Sequence, residues 1–101
     1  MTGFHVRGNP APQHLQQIPA GVPVRVEIHF VMPRPKSLPK SRPTPPAVKR
    51  IGDLDKLCRA ILDGLDGPAY ADDSQVTVLV ADKRIAEPGE EPGARINVEA
   101  L

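Results

Sequence analysis

Hydrophobic and polar residues alternate along residues 22–32, which read VPVRVEIHFVM. Apolar side chains occupy every second position from Val24 to Met32, and mostly charged or histidine side chains stand between them. A period of two is typical of a strand with one buried face and one solvated face. The pattern therefore predicts a half-buried strand, with His29 at its surface or at the edge of the core and without a functional role.

A helical period follows Asp53. Apolar residues recur there at spacings that place them on one side of a helix, namely Leu54, Leu57, Cys58, Ile61, Leu62 and Leu65. Asp53 is an N-cap candidate, and Gly64, Gly67 and Pro68 form a stop signal. The pattern predicts one amphipathic helix that begins at Asp53, with Cys58 as a small core residue.

Two further strands are expected downstream. The β-branched run Val76–Val80 predicts a largely buried strand, and residues 95–101 alternate again. The loop EPGEEPG at 87–93 lies between them and predicts that the two strands pair as a hairpin. Residues 1–21 show no sustained period and are predicted to be irregular. The expected fold is α/β (α+β), with a mixed sheet of about three to four strands and one main helix packed on it.

Residues 33–50 are rich in proline and in positive charge. The chain has 13 prolines, and this segment combines several of them with basic residues and no acidic residue. Because proline fixes φ and lacks a backbone donor, the segment is predicted to be an extended or irregular loop. It is either a solvated linker or a surface for phosphate groups. The candidate DNA-binding residues are Arg34, Lys36, Lys40, Arg42, Lys49, Arg50 and, in the helix, Lys56.

Size and composition narrow the class of protein. A chain of 101 residues suffices for one compact domain, expected over residues 1–101. The single cysteine excludes an intramolecular disulfide and a cysteine-based zinc cluster. Neither a signal peptide nor an apolar span of about 20 residues is recognisable, so a cytoplasmic location is expected. No glycine-rich phosphate loop indicates a nucleotide cofactor.

Four aspartates lie at the ends of predicted elements: Asp53 and Asp55 in the first helical turn, and Asp72 and Asp73 just before the following strand. Each has an ordinary explanation as an N-cap, as half of an ion pair with Arg59, or as a turn residue. If the two ends converge, the carboxylates repel one another unless a cation neutralises them, and their oxygen atoms favour magnesium or manganese. Such a centre is suited to cleaving phosphodiesters.

The segment GDLDKLCRAILDGLDGPAYADDSQV, residues 52–76, resembles the RusA family of Holliday junction resolvases. In that family an Asp-x-Asp pair opens a helix, a lysine follows one turn later, and an Asp-Asp-x-Gln segment begins the next strand. The corresponding residues here are Asp53, Asp55, Arg59, Asp72, Asp73 and Gln75. The resemblance implies a homodimer that uses magnesium, with manganese as a substitute, to make paired nicks in four-way DNA junctions. It implies catalytic roles for Asp53, Asp55, Arg59 and Asp73, and metal ligation by Asp53, Asp55, Asp72 and Asp73.

Three departures from the family pattern accompany this resemblance. Arg59 replaces the usual lysine, which favours an electrostatic role over proton transfer. Lys56 stands where asparagine is frequent, and no N-terminal strand and helix are recognisable in residues 1–21. Three functions therefore stay open: a magnesium-dependent junction endonuclease of DNA recombination and repair, a relative that binds branched DNA without cutting it, and a proline-rich protein-interaction module.

Overall fold

The computed structural model describes residues 16–48 and 52–101, together with the backbone of one strand at 3–7. In chain order the elements are the strands β1 (Gly3–Arg7) and β2 (Val24–Met32), the helix α1 (Leu54–Leu65), a short 3-10 helix (Asp73–Gln75), and the strands β3 (Val76–Ile85) and β4 (Gly93–Ala100). The predicted first strand, the predicted helix and the fold class are confirmed. Within the described residues, no helix is long and apolar enough to cross a membrane.

The four strands form one mixed sheet in the order β1-β4-β2-β3. Strand β4 is antiparallel to both β1 and β2, whereas β2 and β3 are parallel. The prediction that the last two strands form a hairpin is therefore wrong. Parallel strands need a crossover connection, and the chain between β2 and β3, which includes the proline-rich loop and α1, makes it.

Strand β1 corrects the expectation that residues 1–21 are irregular throughout. It pairs antiparallel with β4, and Phe4 lies opposite Val98. A strand of five residues is too short to show a sustained period, and its stability comes from the partner strand beside it. Ile18, in the same segment, is buried and forms an isolated bridge with Tyr70.

The core lies between α1 and one face of the sheet. Alternate residues of β2 from Val24 to Phe30 are buried, and those between them are partly exposed, as the period of two predicted. Cys58 and Leu65 of α1 pack into the same cluster, so the prediction that Cys58 is a core residue is confirmed. Tyr70 is fully buried and donates a hydrogen bond from its hydroxyl to the carbonyl of Leu62, at 3.1 Å.

Strand β3 is an edge strand, and the prediction that it is largely buried is wrong. Val78, Leu79 and Val80 keep 37%, 45% and 40% of their surface exposed. Among the described residues β3 has a partner strand on one side only. A β-branched composition favours a strand but does not distinguish a central strand from an edge.

Candidate metal centre and nucleic-acid surface

A capping box holds the turn that carries Asp72 and Asp73. The carboxylate of Asp72 accepts a hydrogen bond from the backbone N–H of Ser74 at 2.8 Å, and the side chain of Gln75 accepts one from the backbone N–H of Asp72, also at 2.8 Å. Each side chain thus satisfies a backbone donor that the short helix leaves unpaired. The turn has a defined backbone, and both carboxylates stay exposed to solvent.

Three carboxylates meet at this turn. Oxygen atoms of Asp66, Asp72 and Asp73 lie within 4.8 Å of one another, and all three residues are exposed. Partial removal from water raises the pKa of Asp73, and the negative charge of Asp66 raises it further. The pKa of Asp72 is lowered, mainly by the hydrogen bond from the backbone of Ser74. The arrangement offers a hard divalent cation several oxygen ligands.

The sequence pattern did not indicate Asp66 as a candidate metal ligand. It is the C-cap residue of α1, and the chain reverses after it, where Gly67 has a φ of +99°. The bridge between Asp66 and Tyr70 closes that reversal. The glycine and proline that follow Asp66 indicate where the helix ends. They do not indicate which side chains the chain reversal brings together.

An open cleft of about 770 Å³ runs between α1 and β3. Asp55, Arg59 and Asp63 line one side, at intervals of four residues that place them on one helical face. Leu79 lines the other side, and Asp73 belongs to the cleft as well as to the three-aspartate group. Asp73 is therefore the residue common to both acidic features.

Asp53 and Asp55 lie at the opposite end of α1 from the three-aspartate group. With a rise of about 1.5 Å per residue, Asp55 and Asp66 are separated by about 16 Å along the helix. Asp53 is at the N-cap, as expected, but makes no side-chain capping bond, and its carboxylate lies 3.8 Å from the ammonium of Lys56. In the described side-chain positions, Asp53 and Asp55 are not in the group that Asp72 and Asp73 form.

Besides Lys56, the cations Arg59 and Lys83 lie near α1. Arg59 is exposed in the cleft and, among the described residues, makes no ion pair with Asp55 within 4.0 Å. Lys83 of β3 donates a hydrogen bond from its ammonium to the carbonyl of Gly52, 2.8 Å away, immediately before Asp53. The alternation of Leu79, Ala81 and Lys83 toward α1 is the signal that could have indicated Lys83.

The proline-rich segment at residues 33–50, here called the basic loop, carries two kinds of cation. Arg34 has a structural role, and others are exposed to solvent. The guanidinium of Arg34 donates to the hydroxyl of Thr44 at 2.8 Å and to the carbonyls of Pro39, Arg42 and Ala86 at 3.0, 3.3 and 3.3 Å. It therefore binds the loop to itself and to the end of β3. Lys36, Lys40 and Arg42 have exposed side chains, and Lys49 and Arg50 lie outside the described residues.

A second polar cluster lies on the face of the sheet opposite α1. The two ring nitrogens of His29 lie 2.7 Å from a carboxylate oxygen of Glu27 and 2.9 Å from one of Asp82. These contacts, the one with Glu27 foremost, raise the pKa of His29. Arg25 pairs with Glu27 at 2.8 Å. The cluster joins β2 to β3 on the opposite face from the acidic cleft.

Comparison with known families gives a match over most of the chain. The family model described as endodeoxyribonuclease RusA matches residues 8–99. This range includes the basic loop, both acidic segments, β2 and β3. No curated protein matches the chain.

Proposed function

This chain belongs to the RusA family of endodeoxyribonucleases, and on that basis we propose that it is a magnesium-dependent enzyme that resolves four-way DNA junctions by paired nicks. Its cellular role would lie in DNA recombination and repair. The observation that carries the proposal is the position of Asp73, which joins a three-carboxylate group to a cleft containing Arg59.

The acidic residues fit a magnesium or manganese ion. Their donors are carboxylate oxygens, which these hard cations prefer. Partial removal from water raises the pKa of Asp73, and a bound cation would offset the repulsion from Asp66 that raises it further. We propose Asp72 and Asp73 as ligands, with Asp66 beside them and with Asp53 and Asp55 as the further members that the family pattern indicates. A bound metal supplies an activated water and charge stabilisation for phosphodiester cleavage.

Arg59 is proposed to position the scissile phosphate. Its guanidinium is planar and permanently charged, and it donates in pairs to phosphate oxygens. Because it lies between the two acidic ends of the cleft, a phosphate bound there would sit close to a metal at either end. An arginine does not give up its proton readily, so its contribution is electrostatic and geometric.

The basic loop is proposed to hold the arms of the junction. Lys36, Lys40 and Arg42 are exposed and can neutralise phosphates, which makes binding dependent on salt. Lys49, Arg50 and Lys56 are proposed as further contacts. Since a four-way junction presents two equivalent strands, a homodimer with two equivalent sites matches its symmetry.

A second candidate function is binding of branched DNA without cleavage. The separation of Asp53 and Asp55 from the three-aspartate group favours it, as does arginine at position 59. A third, a protein-interaction module, relies on the proline-rich loop alone. Tight, salt-sensitive junction binding that disappears when Lys36, Lys40 and Arg42 become alanine would count against this third function.

The deciding experiment is a cleavage assay with a synthetic four-way junction whose strands are labelled one at a time. We expect symmetric nicks in opposite strands with magnesium or manganese, none with a chelator, and none in a linear duplex. Asp73→Asn should bind the junction and leave it intact, whereas Glu91→Gln, an exposed carboxylate in the β3–β4 loop, should cut normally. A junction that is bound but stays intact with both metals would establish the non-cutting alternative.

A further inference from the structure

Lys83 joins the C-terminal part of β3 to the start of α1. Its ammonium donates a hydrogen bond to the carbonyl of Gly52, 2.8 Å away, and Gly52 immediately precedes the N-cap residue Asp53. Residues 49–51 lie outside the described residues, so the bond is at the point where the described chain enters the helix. It connects two segments that are 31 residues apart in the chain.

The backbone conformation of Gly52 is part of this contact. Gly52 has a φ of +103°, in the left-handed region that favours glycine, and in this conformation its carbonyl accepts the hydrogen bond from Lys83. A side chain at position 52 would be strained by that backbone conformation. A glycine and a lysine that are remote in sequence thus form one contact between helix and strand.

The charge of Lys83 is not spent on a carboxylate. Among the described residues its ammonium makes no ion pair within 4.0 Å, whereas the carboxylate of Asp53 lies 3.8 Å from the ammonium of Lys56. The helix dipole disfavours a cation beside a helix N-terminus, so helix stability does not favour a lysine here. Because Lys83 binds a backbone carbonyl, it leaves the carboxylate oxygens of Asp53 and Asp55 to other cations.

The opposite end of α1 is held by a separate contact. The hydroxyl of the buried Tyr70 donates to the carbonyl of Leu62, 3.1 Å away, in the last turn of the helix. Leu62 lies about 12 Å along the axis from the first residue of the helix, at about 1.5 Å per residue. Tyr70 therefore does not fix the first turn. The separation of Asp55 and Asp73 across the cleft depends on the Lys83 contact as well.

We propose that Lys83 is a positioning residue for the metal centre. It holds the first turn of α1 against β3 and thereby sets how far Asp53 and Asp55 lie from Asp73. This inference rests on the proposed function, in which these aspartates bind magnesium or manganese. Lys83 contacts neither the metal nor DNA, and it acts through the carbonyl of the glycine that precedes the two helical aspartates.

Hydrogen exchange of the metal-free protein tests the contact. The amide of Leu57 donates to the carbonyl of Asp53, 3.0 Å away, in the first helical turn. The amide of Asp66 donates to the carbonyl of Leu62, 3.1 Å away, at the other end. In Lys83→Met, which removes the donor and keeps a long side chain, the Leu57 amide should exchange about threefold faster or more, and the Asp66 amide should exchange as in the parent. An unchanged rate at Leu57 would overturn the proposal.

Manganese titration distinguishes positioning from charge, because the two effects have opposite signs. A lysine that acts only as a nearby positive charge weakens manganese binding, so its removal would strengthen it. A positioning lysine has the opposite effect: Lys83→Met should weaken binding by about threefold to tenfold, and Lys83→Arg, which keeps a charged donor, should restore most of the affinity. Stronger or unchanged binding by Lys83→Met would overturn the proposal.

Lys56→Met is the matched control for this titration. Lys56 pairs with the carboxylate of Asp53 rather than with a backbone carbonyl. Its removal takes away a competing cation, so the variant should bind manganese at least as tightly as the parent. Equal losses in Lys56→Met and Lys83→Met would mean that the Gly52 contact has no part in the effect.

A double-mutant cycle identifies the residue through which Lys83 acts. In an Asp55→Asn background the loss caused by Lys83→Met should be smaller, because a residue that Lys83 positions no longer offers a charged ligand. In an Asp66→Asn background the loss should persist in full, since Asp66 lies at the other end of α1. The same loss in both backgrounds would contradict the proposal.

None of these measurements uses DNA cleavage, so a failure of the nuclease proposal is seen separately. A parent protein that binds manganese but leaves the junction intact would reject cleavage, while exchange and affinity would still establish the role of Lys83. Normal cleavage by Lys83→Met, together with an unchanged manganese affinity, would reject the role of Lys83 alone.

Discussion

The side-chain oxygen of Gln75 accepts a hydrogen bond from the backbone N–H of Asp72, with 2.8 Å between the two atoms. The amide nitrogen of the same side chain donates to the carbonyls of Pro19 and Val22, at 2.7 and 3.0 Å. Gln75 is 8% exposed, so these bonds are largely shielded from water. One buried amide thereby ties the acidic turn to the chain that enters β2.

Replacing Gln75 with leucine should destabilise the protein by about 2–3 kcal/mol, because one backbone donor and two carbonyls in partly buried hydrogen bonds lose their partner. The measurement is urea unfolding, with Gln16→Leu as the control. Gln16 is exposed, and its replacement should change the free energy of unfolding by less than about 0.5 kcal/mol. Equal effects of the two changes would show that the Gln75 bonds do not contribute.

Replacing Asp73 with asparagine should weaken manganese binding more than any other single aspartate replacement, by about tenfold or more. The reason is that Asp73 belongs both to the three-aspartate group and to the cleft, and a divalent cation loses a charged oxygen ligand there. Calorimetric titration with manganese measures the affinity.

Asp63→Asn is the matched control for this titration, since Asp63 lines the same cleft but lies outside the three-aspartate group. We expect a smaller loss than for Asp73→Asn. Asp66→Asn and Asp55→Asn then show which end of α1 supplies further ligands. Identical losses for Asp63→Asn and Asp73→Asn would indicate attraction by the general negative charge rather than ligation.

The His29 cluster should make stability depend on pH. Because folding raises the pKa of His29 above 6.5, the stabilisation is complete below that value and is lost as the pH rises through the folded-state pKa. Glu27, with a lowered pKa, contributes above 4.5 and loses its contribution as the pH falls. Urea unfolding from pH 5.5 to pH 9, a range chosen to bracket about 6.5, should show a decline that His29→Gln lacks. Parallel curves for the two proteins would contradict this expectation.

The basic loop should account for part of the salt dependence of junction binding. Changing Lys36, Lys40 and Arg42 together to alanine should reduce the slope of log affinity against log salt by about 0.9 for each phosphate that these cations no longer neutralise. Fluorescence anisotropy at several salt concentrations gives the slope. Arg95→Ala, on the face opposite α1, should leave the slope unchanged. An equal reduction of the slope in Arg95→Ala would mean that any exposed cation contributes to junction binding.

Arg34 should act on the loop rather than on DNA directly. Arg34→Lys removes a planar donor that serves the hydroxyl of Thr44 and three carbonyls, so we expect faster amide hydrogen exchange across residues 33–48. Lys36→Arg, an exposed neighbour, is the control and should exchange like the parent. Unchanged exchange in Arg34→Lys would mean that the loop is held by its prolines alone.

The elements with a clear local period could be predicted from the sequence. Strand β2 and helix α1 each carry an uninterrupted pattern whose buried residues face one core. The placement of β3 and β4 on opposite sides of β2 could not be predicted, because a short loop between two strands favours a hairpin while the sheet order depends on contacts across the whole chain. The prediction that β3 is largely buried was wrong for the same reason, because its edge position depends on the sheet order.

The candidate site was predictable only in part. The spacing of Asp55 and Arg59 and the adjacency of Asp72 and Asp73 indicated which residues share an element. The distance between those elements depends on where α1 ends, and the reversal at Gly67 brings Asp66, rather than Asp53 or Asp55, to the turn. Hydrogen bonds such as those of Gln75 depend on residues remote in sequence and leave no local signal.

The position of β2 between β3 and β4 has a consequence for the rate of folding. His29 and Asp82, which face each other across β2 and β3, are 53 residues apart in the chain, and β4 is more distant still. The chain must close long loops before these pairs give any stabilisation, whereas α1 can form locally. We expect folding in milliseconds to seconds, slower than a helical protein of this size, with the helix formed early and the sheet assembled in the limiting step.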